Sequence, residues 1–124
     1  MEPLLTNYSL PSFERFASAH SYDITVDQLE DGHDWHGPQS RDARWAKLGL
    51  LRTVLEKSDV AVWFDADVVI CRTAEDIASR LGDDSFQALM MESVPSEHRV
   101  NPNTGVWVLR HSAQAFDFLD AIED

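Results

Sequence analysis

Five consecutive residues without a charged or hydroxyl side chain, Val60-Ala61-Val62-Trp63-Phe64, run directly into Asp65-Ala66-Asp67. The run is rich in β-branched and aromatic residues and is too short for a helix of its own, so it predicts a strand buried on both faces. Such a strand belongs in a sheet covered by helices on both sides, which restricts the chain to an α/β architecture. The abrupt change from apolar to acidic marks where the strand ends. In open α/β sheets ligands bind outside the carboxyl ends of the strands, and residues i and i+2 of an extended segment point to the same side. Asp65 and Asp67 are therefore expected to converge at a ligand site.

Two ionised carboxylates about 4 Å apart repel by roughly 4 kcal/mol at an effective dielectric near 20, so the pair asks for a cation or a shared proton. Mg²⁺ or Mn²⁺ suits hard oxygen ligands and completes its shell with water and substrate phosphates, which points to a nucleotide diphosphate. The alternative is ordinary turn chemistry, since Asp favours turns and helix starts. The apolar run before the pair, and the small Ala66, which lets a ligand approach the backbone, favour the metal site.

Helical and extended patterns alternate on either side of this segment. A helix is predicted over Pro11 to His20, with Phe13, Phe16 and Ala17 on one face, then a strand at Tyr22 to Val26. Residues Asp27 to Asp42 form a long polar loop. A strong amphipathic helix from about Arg41 to Lys57 follows, its Leu48, Leu51, Val54 and Leu55 recurring at three and four residues. Beyond the acidic pair, Thr73 is the expected N-cap of a helix to Leu81, closed by Gly82. Phe86 to Met91 is a strand, Glu92 to Asn103 a polar loop, Gly105 to Leu109 a strand, and Ser112 the cap of a last helix through Ile122. The pattern predicts an α/β/α sandwich with a mostly parallel sheet, a single domain over residues 1–124.

Composition narrows the function. With 10 Lys+Arg against 22 Asp+Glu the formal net charge is −12, which disfavours nucleic acid and anionic membrane surfaces. An anionic small molecule remains compatible, because a bound divalent ion reverses the local sign. No run approaches the ~18 apolar residues of a membrane span, and the start, MEPLLTNYSL, does not have the form of a secretion signal. Cys71 is the single cysteine and is expected as a small core residue, so no internal disulfide forms. A cytoplasmic location is the expectation.

The D-x-D strand resembles that of nucleotide-sugar glycosyltransferases with the GT-A fold, and in particular the galactosyl transferase/mannan polymerase family. Three further blocks are similar to that family. FASAHSYDITV (Phe16 to Val26) resembles its YA-x-x-H-G-Y-D segment, with Ser21 in place of glycine. RWAKLGLLRTVL (Arg44 to Leu55) resembles its W-x-K-x-x-x-L-R helix. NTGVWVLRHSAQAFDFLDAI (Asn103 to Ile122) resembles its N-x-G-x-F-x-x-R strand and helix. The resemblance covers about Ser12 to Ile122, in matching order and spacing.

The resemblance implies a GT-A-like fold and a glycosyltransferase that moves a hexose or pentose from a UDP- or GDP-sugar to a carbohydrate or other acceptor, with retention. Asp65 and Asp67 would bind Mn²⁺ or Mg²⁺ and, with Ala66, the donor diphosphate. Lys47 would lie near the donor, and Asn103, Thr104 and Gly105 would form the loop approaching donor sugar or acceptor. Only Pro3-Leu4-Leu5-Thr6 precede the first helix, and the family pattern continues past Asp124 to a further histidine metal ligand. The expectation is therefore the core of such a domain, truncated at both ends. Its free sheet edges would favour pairing with another chain, a homo-oligomer included.

The remaining chemistry-bearing residues have plainer readings. His33 and His36 fall in a Gly-flanked loop, His20 at a helix end and His111 in a turn. Trp63 and Trp107 are expected in the core, and Trp35 is the one tryptophan placed for a carbohydrate contact. Two rival functions compete. A haloacid-dehalogenase-type phosphatase would use Asp65 and Asp67 with Asp83-Asp84 as its later acidic pair, at an unsuitable spacing. A non-catalytic, truncated transferase-like domain would bind the nucleotide sugar without transfer.

Overall fold

The computed structural model describes residues 2–26, 46–94 and 99–123. A single α-helical turn, Glu2–Leu4, continues through a π-helical stretch, Leu5–Ser9, into helix α1 (Leu10–His20). Pro11 stands just past the junction of the π-helical and α-helical stretches and offers no N–H to the turn before it. Ser21 ends the helix at φ 60°, and its N–H donates to the Ala17 carbonyl. Helix α2 (Ala46–Leu55) leads into strand β1 (Val60–Phe64). A 3₁₀ turn over Ile77–Arg80 comes next, then β2 (Gln87–Val94), β3 (Arg99–Arg110) and helix α3 (Ala113–Glu123). The Ser112 hydroxyl caps α3 by accepting from the Ala115 N–H at 3.1 Å, as the sequence predicts.

The three strands form one sheet in the order β1-β3-β2, with both pairings antiparallel. This corrects the expectation of a mostly parallel sheet. β1 and β2 run the same way, but β3 returns between them, so each parallel-looking neighbour is separated by a reversed strand. The alternation of helix and strand along the chain could not reveal that, because a crossover and a hairpin leave the same pattern.

Strand alternation sends successive side chains of β1 to opposite faces. Ala61 and Trp63, with Trp107 and Leu109 of β3, face a core built by Leu48, Leu51 and Leu55 of α2 and Ala115 and Leu119 of α3. Phe64 points the other way and stacks on Phe13 at 5.1 Å and edge-on to Phe16 at 5.7 Å, both from α1. Helices thus pack on both faces of the sheet, α2 and α3 on one and α1 on the other. Leu55, Leu109 and Leu119 are fully buried.

Other departures have local causes. Residues 22–26 are not a strand; Ile24 and Val26 are exposed and no described strand pairs with them. The helix predicted from Thr73 shortens to the 3₁₀ turn because Asp76, not Thr73, provides the cap, accepting from the Ala78 N–H at 3.0 Å. Cys71 is exposed rather than buried. The polar stretch from Glu92 is not all loop, since β2 runs to Val94 and β3 starts at Arg99. Within 41–57, α2 is described from Ala46 and ends at Leu55. The Asp27 to Asp42 loop, with His33, His36 and Trp35, lies outside the described residues. Among the described residues no helix is long and apolar enough to cross a membrane.

Candidate functional site

The antiparallel ladder continues one residue past β1, where the Asp65 N–H donates to the Gly105 carbonyl at 2.8 Å. The chain then turns at once, the Val68 N–H donating back to the Asp65 carbonyl at 3.0 Å. Asp65-Ala66-Asp67-Val68 is thus a four-residue turn, with Asp65 and Asp67 at its first and third positions. The extended i, i+2 geometry stops at Asp65. Asp65 is half-buried, whereas Asp67 is exposed and has no hydrogen-bond or ion-pair partner among the described residues.

The i, i+2 relation does hold one step earlier. Trp63 and Asp65 share a face, and the Trp63 indole N–H donates to Asp65 Oδ1 at 2.6 Å. Lys47, from α2, reaches the same oxygen at 3.3 Å. Its ammonium also donates to Thr104 Oγ1 at 3.0 Å and to the Thr104 carbonyl at 3.4 Å, and it lies 5.6 Å from the Trp63 ring centroid. The Lys47 side chain is 14% exposed and that of Asp65 38% exposed. A nearly buried ammonium needs acceptors for its three protons, and here it finds them on two elements far apart in sequence.

Thr104 reaches this point because β3 is irregular there. Leu89 pairs with Trp107 and Met90 with Asn103, so the register shifts there and residues 104–106 of β3 fall between two successive residues of β2. A bulge bends its strand and re-aims side chains. It sits opposite the end of β1, where Val106 pairs with Phe64. Asn103, Thr104 and Gly105 therefore lie within β3 rather than in a loop, Asn103 at the register of Met90, Thr104 on Lys47 and Gly105 buried under Asp65. The side chain of Asn103 lies outside the described residues.

Of the residues singled out in the sequence, Lys47, Asp65, Thr104 and Gly105 come together, with Ala66 and Asp67 in the adjoining turn. Sequence reasoning placed Trp63 in the core and missed its hydrogen bond to Asp65; their spacing of two residues along a strand was the available signal. It also missed the bulge, for which Pro102 and Gly105 just before the apolar run Val106 to Leu109 were the cue.

The donor set suits Mg²⁺ or Mn²⁺ only in the open manner in which these ions take one or two carboxylates and leave the rest to water and phosphate. Among the described residues no three His, Cys, Asp or Glu gather as a protein-only cage. His111 lies at the opposite end of β1, where its N–H donates to the Asp59 carbonyl at 2.8 Å and its ring meets Phe116 edge-on at 5.2 Å. His20 Nε2 donates to the Thr73 carbonyl at 2.6 Å. Beside it the Tyr22 hydroxyl donates to Asp76 Oδ1 at 2.8 Å, and the Tyr22 ring stacks on Phe16 at 5.4 Å. Burial, and then the hydrogen bond and charge of Asp76, hold that hydroxyl protonated far above the usual tyrosine range.

The chain matches no protein-family model and no curated protein.

Proposed function

We propose that this chain is a metal-dependent nucleotide-sugar domain of the glycosyltransferase class, moving a hexose or pentose from a UDP- or GDP-sugar to an acceptor. One observation carries the reading. Lys47, Asp65 and Thr104-Gly105, singled out from three separate sequence blocks, meet within hydrogen-bond distance at the carboxyl end of β1, a strand of which only Ala61 is fully buried. A second supports it: Ser21, which stands where the resemblance has glycine, has φ 60°, a left-handed conformation that glycine takes without strain.

In this reading the Asp65 and Asp67 carboxylates supply the ligands of the metal ion, and Ala66 keeps the turn open to the diphosphate. Lys47 donates to a phosphate oxygen, and Thr104 and Gly105 line the approach of the sugar. When bound, the divalent ion would act as Lewis acid and template for the departing diphosphate. The phosphatase alternative loses support from the position of Asp83-Asp84. That pair forms a turn tied to Arg110, which is in register with Val60, about 17 Å of strand from Asp65.

Isothermal titration of UDP and GDP, each with and without Mn²⁺, tests the proposal. Micromolar binding of one nucleotide that requires Mn²⁺, and is abolished by Asp65→Ala and by Asp67→Ala with the fold retained, is the expected outcome. Binding that ignores both substitutions would remove the site assignment. Nucleotide binding without sugar transfer to any acceptor would instead favour a non-catalytic binding domain.

A further inference from the structure

Resting on that reading, we infer that Lys47 is a built-in competitor of the divalent cation: the two contend for Asp65, and the donor diphosphate settles the contest by taking the ammonium. Asp65 Oδ1 accepts from both Lys47 and Trp63. A cation bound to that oxygen at the ~2.0–2.2 Å of Mg²⁺ or Mn²⁺ coordination leaves no room for two further donors. Ligation at Oδ1 therefore requires the ammonium to yield, and a cation on the other oxygen meets the like charge of the ammonium across the same carboxylate.

The geometry makes Lys47 the group able to do so. At 3.3 Å its contact with Asp65 is longer than the ~2.7–2.9 Å of a well-made charge-assisted bond, while its contact with Thr104 Oγ1 is 3.0 Å. Released from Asp65 it keeps Thr104 and the face of Trp63, and its flexible four-carbon stem allows a short shift toward a phosphate oxygen. A diphosphate that pairs with the ammonium removes the competitor. Cation and nucleotide then bind with positive coupling, which by linkage must be the same in both directions.

The test is Mn²⁺ alone, titrated into the native chain and into Lys47→Met and Lys47→Gln, followed by the same titrations at saturating nucleotide. The neutral variants are expected to bind Mn²⁺ at least tenfold more tightly than the native chain when no nucleotide is present. Adding Asp65→Asn is expected to cancel that gain. Mn²⁺ affinity that is unchanged or lower in the neutral variants, or a gain that survives Asp65→Asn, overturns the inference. Should neither neutral variant fold, Thr104→Val decides it: it removes the hydroxyl anchor of the ammonium and leaves Lys47 to Asp65, so Mn²⁺ binding without nucleotide is expected to weaken severalfold, and unchanged or tighter binding overturns the inference. Mn²⁺-dependent nucleotide binding by the native chain, read in the same series, reports separately on the donor site.

Discussion

At the N-terminal end of β1 the guanidinium of Arg110 donates from one nitrogen to three main-chain oxygens, those of Gly82 at 3.2 Å and of Asp83 and Ser85 at 3.0 Å. At the C-terminal end the ammonium of Lys47 is shared between one carboxylate and one threonine, at 3.3 and 3.0 Å. Among the described residues the first cation has only carbonyls for partners, and carbonyls of a turn are fixed by the backbone and hold no exchangeable charge. The second faces an ionised carboxylate that another cation can claim. Backbone polar groups make a closed, structural end; a half-buried ion pair makes an end whose partners can change.

The same difference runs through the surroundings. Around Arg110 the strand-end hydrogen bonds are main chain to main chain, Arg110 N–H to Phe86 and His111 N–H to Asp59, both at 2.8 Å. Arg52 meets Asp120 and the Phe116 carbonyl, which ties α2 to α3 nearby. Around Asp65 the ladder lapses into a bulge and a turn. Ordering is spent at one end and withheld at the other, as expected where a ligand is to be accommodated.

The comparison is most sharply tested by Arg110→Ala, the substitution expected to have the largest effect on stability. It removes the donor to three carbonyls but leaves the β3 backbone and the Asp65 end untouched. A loss of about 1–2 kcal/mol is expected, read from the urea midpoint at unchanged m-value. Nucleotide and Mn²⁺ affinity should stay within twofold of native, because sites this far apart act additively. If affinity falls with stability, the two ends are one cooperative unit and the division drawn between them fails.

Ser21→Gly acts on the other end and is expected to stabilise. Ser21 holds φ 60° at the close of α1, the helix whose Phe13 and Phe16 pack against Phe64 beside Asp65. Glycine adopts that conformation without the Cβ clash, so about 0.5–1 kcal/mol of gain is expected in the same unfolding measurement. A loss of stability would mean that the left-handed turn does not form.

What the sequence could announce follows from the range of the forces involved. β1, α2 and α3 were legible because their signals are local: an unbroken apolar run, a three-and-four repeat, a serine cap. The meeting of Lys47 with Asp65 was named only through a resemblance, since nothing in the spacing of residues 47, 65 and 104 says that they touch. The direction of β3 was not legible, because pairing direction is set by how connections pack and not by the strand's own residues. The segment 22–26 shows the converse. Its alternating Ile24 and Val26 satisfy a strand pattern, but that pattern needs a partner strand to become structure, and among the described residues it has none. Cys71 was misjudged because residue type gives only a burial preference, while position beside a turn decides the outcome; Trp63 packs against the core as expected, and only its hydrogen bond to Asp65 went unseen.

The smallest expected effect concerns the clasp that holds the end of α1 to the 3₁₀ segment, and its sign follows from protonation. Tyr22 in the folded chain keeps its proton to well above the ordinary tyrosine range, because the hydroxyl is partly buried and donates to Asp76. In the unfolded chain it titrates near pH 10. Below that pH both states carry the proton and the contribution to stability is constant. Above it the unfolded chain binds fewer protons than the folded one, so stability falls as pH rises further. Tyr22→Phe removes both the hydrogen bond and this titration. Its urea midpoint should therefore lie slightly below native at pH 8 and decline less steeply between pH 10 and 11, the difference between the two curves narrowing with pH. Parallel curves through that interval would mean that the hydroxyl is not held by Asp76. The open end of β1 would then owe its attachment to α1 to the stack of Tyr22 on Phe16, the edge-on contact of Phe16 with Phe64, and His20 on Thr73.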